Sequence, residues 1–135
     1  MIAVVDTGPL YAAADLDDAD HEACAKALST AGLRLVIPAM VVAEATYLVG
    51  SRLGPGAEVL FLRALAGLTV EAPLAEDWPR IADLVERYAD LPLGGTDASV
   101  VAVAERLATD TVITLDRRHF GTVRPRHCPA FRILP

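Results

Sequence analysis

Four carboxylates, Asp6, Glu44, Asp97 and Asp116, stand where acids could do chemistry. Asp6 closes the apolar run Ile2-Ala3-Val4-Val5, and Asp116 closes Val112-Ile113-Thr114-Leu115. Turns tolerate Asp, so either residue alone is explained by turn chemistry. The two together are explained equally well as a pair at one edge of a sheet. Glu44 lies within Met40 to Val49 and shares helical faces with Val41 and Leu48. A carboxylate on an apolar face is costly unless paired or coordinated, and Arg52, two turns on, is the partner in a purely structural reading. Asp97, in Gly94-Gly95-Thr96-Asp97, begins a helical segment, where the helix dipole alone favours an acid. Gathered in one crevice, four carboxylates repel one another unless cations neutralise them. Two divalent ions balance four charges. Hard oxygen ligands with no His or Cys beside them suit Mg²⁺ or Mn²⁺ rather than zinc.

The elements that must bring these acids together are legible in outline. Ile2 to Val5 is a short apolar strand, and Asp6-Thr7-Gly8-Pro9 has turn chemistry. The acids Asp15, Asp17, Asp18, Asp20 and Glu22 precede a helical segment over Ala23 to Ala31, as a helix start attracts them. Strands are expected at Leu33 to Ile37, Thr69 to Glu71, Thr111 to Leu115 and Phe131 to Leu134. Helices are expected over Ala39 to Leu53, Ala57 to Leu68 and Leu74 to Ala89, and from a cap at Thr96 through Leu107. Strands alternating with helices argue for an α/β fold with a mainly parallel sheet. At 135 residues the chain is too short for an eightfold barrel, so the sheet is open. In open parallel sheets, ligands bind beyond the carboxyl ends of strands, where strand order reverses. A chain that winds one way from its first strand and then returns sets the Asp6 and Asp116 strands side by side.

Composition narrows the class. The net charge is −6 and 53% of residues are apolar, which excludes a disordered chain. No apolar run approaches the ~18 residues a membrane span needs. The N-terminus carries no basic region ahead of an apolar one, so a secretory signal is not expected and a cytoplasmic location is. Cys24 and Cys128 are too few for a disulfide scaffold and lack metal-ligand spacing. His21, His119 and His127 form no metal-spaced cluster; His119 reads as a polar contact beside Asp116. Residues 1–116 hold seven basic and eighteen acidic side chains, while 117–135 hold five arginines and no acid. A basic end on an acidic protein can meet a polyanion, although a solvated tail explains it as well.

Four segments carry a family resemblance: Val4-Val5-Asp6-Thr7-Gly8-Pro9-Leu10, Pro38-Ala39-Met40-Val41-Val42-Ala43-Glu44, Thr96 to Leu107, and Val112 to Phe120. In order and context they resemble a PIN domain, specifically a VapC-type toxin of a bacterial toxin–antitoxin pair. The likeness extends over almost the whole chain, read as one domain spanning residues 1–135. It implies a three-layer α/β/α fold with four or five mainly parallel strands. It also implies Mg²⁺- or Mn²⁺-dependent endoribonuclease activity, leaving a 5′-phosphate and a 3′-hydroxyl. Carried over by residue, Asp6 and Asp97 are the principal metal ligands, and Glu44 completes the site directly or by activating water. Asp116 supports a second ion or positions a water, and the Thr7 hydroxyl holds a carboxylate in place. Arg117 and Arg118, following Asp116, are the expected RNA contacts. The expected partners are RNA, a VapB-type antitoxin and a second copy of the chain.

Other functions fit less well. A phospho-acceptor receiver domain needs a lysine at a later strand end, but the sole lysine, Lys26, lies in a helical segment. An aspartate-nucleophile phosphatase needs a second Asp where Gly8 stands. A non-catalytic PIN-like module, with structural ions and apolar helices serving a partner, remains the alternative.

Overall fold

The computed structural model describes residues 1–135 as five strands and seven α-helices. The strands are β1 (Ile2–Val5), β2 (Arg34–Pro38), β3 (Thr69–Glu71), β4 (Thr111–Ile113) and β5 (Arg132–Leu134). All pairings are parallel, in the order β3-β2-β1-β4-β5. The chain thus winds from β1 to β2 and β3, then crosses back to β4 and β5, making the β1/β4 boundary its switch point. Right-handed crossovers running in opposite directions place their helices on opposite faces, which gives three layers.

The helices are α1 (Thr7–Ala14), α2 (His21–Leu28), α3 (Ala39–Leu53), α4 (Pro55–Ala64), α5 (Asp77–Arg87), α6 (Gly95–Arg106) and α7 (Arg117–Thr122). Helix α6 is buried all round from Ala98 to Ala104, which suits an element pressed between the sheet, α5 and α3. Its one polar core residue, Ser99, donates to the Thr96 carbonyl at 2.6 Å. Gly54, at φ +89°, breaks α3 from α4, and Pro55 opens the next helix where no N–H is needed. At the far end of α6, Arg106 donates to Asp77 and Arg80 pairs with Glu105, tying α5 to α6 through 3.0 Å and 2.8 Å contacts.

Two elements differ from expectation for a local reason. Asp6 to Pro9 is not a turn but the start of α1: Asp6 caps it, and Pro9 falls in the first turn, where helical N–H groups lack partners anyway. Residues 117–122, expected as tail, form α7, capped by Asp116. Strand β4 correspondingly ends at Ile113, two residues before Leu115.

Candidate functional site

The ladder between β1 and β4 runs one residue beyond the strand pairing, because the Asp6 N–H donates to the Ile113 carbonyl at 2.9 Å. That bond brings Asp6 alongside Thr114, whose hydroxyl donates to Asp6 Oδ2 at 2.7 Å. The Thr7 N–H donates to Oδ1 at 2.8 Å, so each carboxylate oxygen accepts one bond. Asp6 is only 6% exposed. Burial pushes its pKa up to about 6; the Thr114 and Thr7 bonds oppose the rise, and nearby Asp97 and Glu44 add to it.

Thr7 therefore acts through its backbone. Its hydroxyl, expected to hold a carboxylate, is buried and has no hydrogen-bond partner. Thr114 takes that role instead, and sequence reasoning passed over it. The available signal was a hydroxyl two residues ahead of the strand-end acid, on the strand expected beside β1.

Asp116 caps α7, accepting the His119 N–H at 2.8 Å through Oδ1. Its own N–H donates to Thr114 Oγ1 at 3.0 Å. One hydroxyl thus links the two strand-end acids. Asp97 enters from the first turn of α6. Burial raises its pKa, the His119 contact opposes that rise, and Asp116 adds to it. His119 Nδ1 lies 3.0 Å from Asp97 Oδ2 and 2.9 Å from Asp116 Oδ2. The imidazole donates to Asp97 and stands in ion-pair distance of Asp116, the polar contact expected of it; the reach to Asp97 is the addition.

Glu44 is exposed rather than set on an apolar face. Val41, Ala45 and Val49 take the buried side of α3, and Glu44 falls outside that arc. It needs no structural partner. Arg52 gives it none, since its guanidinium carbon sits 5.0 Å from the centroid of the Tyr11 ring.

All four acids line one open cleft of about 650 Å³ beyond the carboxyl ends of β1 and β4. Thr7 and Gly8 of α1, Leu48 of α3, Leu115, Arg117 and Arg118 complete its wall. Both arginines are exposed, but Arg117 donates to the Pro135 carbonyl, whereas Arg118 forms no ion pair. Asp97, Asp116 and His119 each place a ligand-capable atom within 4.8 Å of the others. With His119 Nδ1 donating, the remaining ligand atoms of the cleft are carboxylate oxygens. This set could hold a divalent metal of the hard, oxygen-seeking kind.

Comparison with known proteins agrees with this fold. Residues 3–124 match the PIN domain family. The chain is 38% identical over 134 residues to Ribonuclease VapC26 of Mycobacterium tuberculosis, covering 98% of this chain and 99% of that one. Among solved structures it is similar to Mycobacterium tuberculosis VapC20, described as a sarcin-ricin loop cleaving toxin. The TM-score there is 0.75 and the identity 21%, over 83% of this chain and 87% of that one. VapBC2 of Rickettsia felis, bound to a DNA fragment from its promoter, matches with a TM-score of 0.73 and 17% identity, over 100% of both chains.

Proposed function

Because the chain belongs to the PIN-domain family, with the VapC ribonucleases, we propose that it is the endoribonuclease toxin of a type II toxin–antitoxin pair. The observation that carries this reading is the meeting of Asp6, Glu44, Asp97 and Asp116 in one cleft at the switch point of the sheet. All 135 residues act as one such domain, in the cytoplasm, where its RNA lies.

Asp6 and Asp97 would be the principal ligands of Mg²⁺ or Mn²⁺, Asp116 would support a second ion or a ligand water, and Glu44 would complete the site directly or by activating water. When bound, the metal offsets the clustered negative charge and acts as a Lewis acid towards a phosphoryl oxygen and water. The protein's own part is positioning. Thr114 and the Thr7 N–H fix both oxygens of Asp6, so its lone pairs point in set directions before substrate arrives. The Asp116 cap fixes a second carboxylate in the same way. Exposed Glu44 is free to take a proton from the attacking water through a carboxylate oxygen. Arg118, free of ion pairs, offsets phosphate charge at the mouth of the cleft. The products are a 5′-phosphate and a 3′-hydroxyl.

The apolar surface fits the proposed partners. A groove of about 470 Å³ between α1, α2 and α4 is lined only by apolar residues, including Leu10, Leu60 and Phe61. Leu60 is 69% exposed and Leu16 81%. An apolar patch of this kind on a small protein calls for a cover, an antitoxin segment, a second copy of the chain, or both. No helix is long and apolar enough to cross a membrane.

Sequencing of 5′-phosphate RNA ends after brief induction in cells tests the activity. New ends should appear with the native chain and be absent with Asp97→Asn. Equal ends from both would overturn the assignment.

A further inference from the structure

Arg52 stands beside the cleft, outside the set of residues given roles above. Helices α1 and α3 both lead away from the acids. Thr7 and Leu48 line the cleft, and Tyr11 and Arg52 lie four residues beyond them in turn. Four residues return a side chain to the same helix face, about 6 Å further along the axis. At that level the two helices meet, with the Arg52 guanidinium over the Tyr11 ring at 5.0 Å.

The ring is a fixed seat. Tyr11 is 9% exposed, and its hydroxyl donates to Asp15 Oδ2 at 2.8 Å. Arg52 is exposed and takes part in none of the ion pairs. Seated over the Tyr11 ring and close enough for one N–H to engage the Tyr11 oxygen, the guanidinium keeps its other N–H donors for an anion. An arginine held this way also forfeits less side-chain freedom on binding than a loose one. In a chain with eighteen acids and twelve bases, a pre-positioned and unpaired cation one turn from an acidic cleft suits an incoming anion.

We infer that Arg52, seated on Tyr11, is a second phosphate subsite, which holds a backbone phosphate of single-stranded RNA to one side of the bond being cut. The inference rests on the reading of the cleft as an RNA-cleaving site. It deepens that reading by giving the strand a path along the wall made by α1 and α3. An RNA strand fits better than an acidic protein segment, because the subsite continues the line of a cleft built to receive a phosphodiester.

The test uses Asp97→Asn protein, so that bound RNA stays intact, and fluorescence anisotropy of labelled oligouridylates of two lengths. Adding Arg52→Ala should weaken binding of the longer strand roughly tenfold, as loss of one charge-assisted contact does. The slope of log affinity against log salt should fall by about 0.7. Binding of the dinucleotide UpU, whose single phosphate cannot fill both places, should change little. Arg52→Lys should keep the salt slope, and the melting temperatures should stay close. In the cleaving protein, Arg52→Ala should raise KM while kcat stays within about twofold. An unchanged salt slope in Arg52→Ala, with RNA still bound and still cut by the native chain, would overturn this inference alone. A loss confined to an acidic peptide probe would overturn it too. Failure of the native chain to cut RNA, with no oligouridylate bound by Asp97→Asn, would overturn the cleft's assignment and this subsite with it.

Discussion

Thr114 and Asp6 stand 108 residues apart in sequence and 2.7 Å apart in space, hydroxyl to carboxylate. The same hydroxyl oxygen accepts the Asp116 N–H at 3.0 Å, so one small side chain orders the acids at the ends of two neighbouring strands. Thr114→Val keeps the shape and removes the donor, leaving a buried carboxylate oxygen short of a bond. We expect a stability loss of about 1–3 kcal/mol by denaturant melting and a marked drop in cleavage, with Thr114→Ser retaining both. Native-like cleavage by Thr114→Val would show that Asp6 needs no such support.

Asp6 makes the metal-free protein sensitive to pH in a definite direction. In the folded state it keeps its proton up to about pH 6, against an ordinary value of 3.8. Between those values the folded chain holds more protons than the unfolded one, so stability in chelator falls as pH rises through that window and then levels off. A shift of that size corresponds to at most ~3 kcal/mol. The raised Asp97 acts with the same sign. Asp6→Asn removes the penalty, and its amide can serve both Thr7 and Thr114. The variant should melt higher than the native chain at neutral pH in chelator, by about 1–2 kcal/mol, with a flatter pH profile. A lower melting point at neutral pH would mean the carboxylate is a structural anchor.

The two cleft arginines should not be equivalent. Arg117 donates to the Pro135 carbonyl, whereas Arg118 forms no ion pair. Arg118→Ala should weaken RNA binding and lower the salt slope by about 0.7, the value for one lost contact on a single strand. Arg117→Ala should do so less and lower the melting temperature more. Salt slopes unchanged from the native chain, with lowered melting temperatures, would place the arginines in folding rather than in binding.

The apolar groove gives a prediction about assembly. Leu60→Glu puts a charge on a surface residue of α4 that also lines the groove. Light scattering and co-purification with the antitoxin should show a lost or weakened complex, with the fold intact by circular dichroism. Full retention of the complex would place the partner elsewhere.

How much of this was legible in the sequence depends on how local each signal is. Strand β3 and helix α3 fell at their expected bounds, because apolar periodicity and the Gly54-Pro55 break are written in adjacent residues. The start of α1 was not. Asp, Thr, Gly and Pro serve a turn and a capped first helical turn alike, and the residues from Leu10 onward decide between the two. The meeting of Asp6 and Asp116 was inferable from topology, since each follows a strand beside the switch point; Glu44 and Asp97 join them from α3 and α6. In sequence Glu44 looks like a costly acid on an apolar face, yet it faces solvent, because α3 turns Val41, Ala45 and Val49 inward instead. Thr114 and the bridging position of His119 depend on register between β1 and β4 and on the small helix α7, which no local pattern announces.

Cleavage of RNA in this cleft is proposed to depend on a divalent ion held by its carboxylates. The most direct measurement is cleavage of labelled RNA by purified protein after chelation, followed by addition of one metal at a time. Activity should vanish in chelator, return with Mg²⁺ or Mn²⁺, and fail to return with Ca²⁺, whose looser and higher coordination suits the site poorly. Asp97→Asn should stay inactive in every metal. Undiminished cleavage in chelator, or full cleavage by Asp97→Asn, would contradict the account.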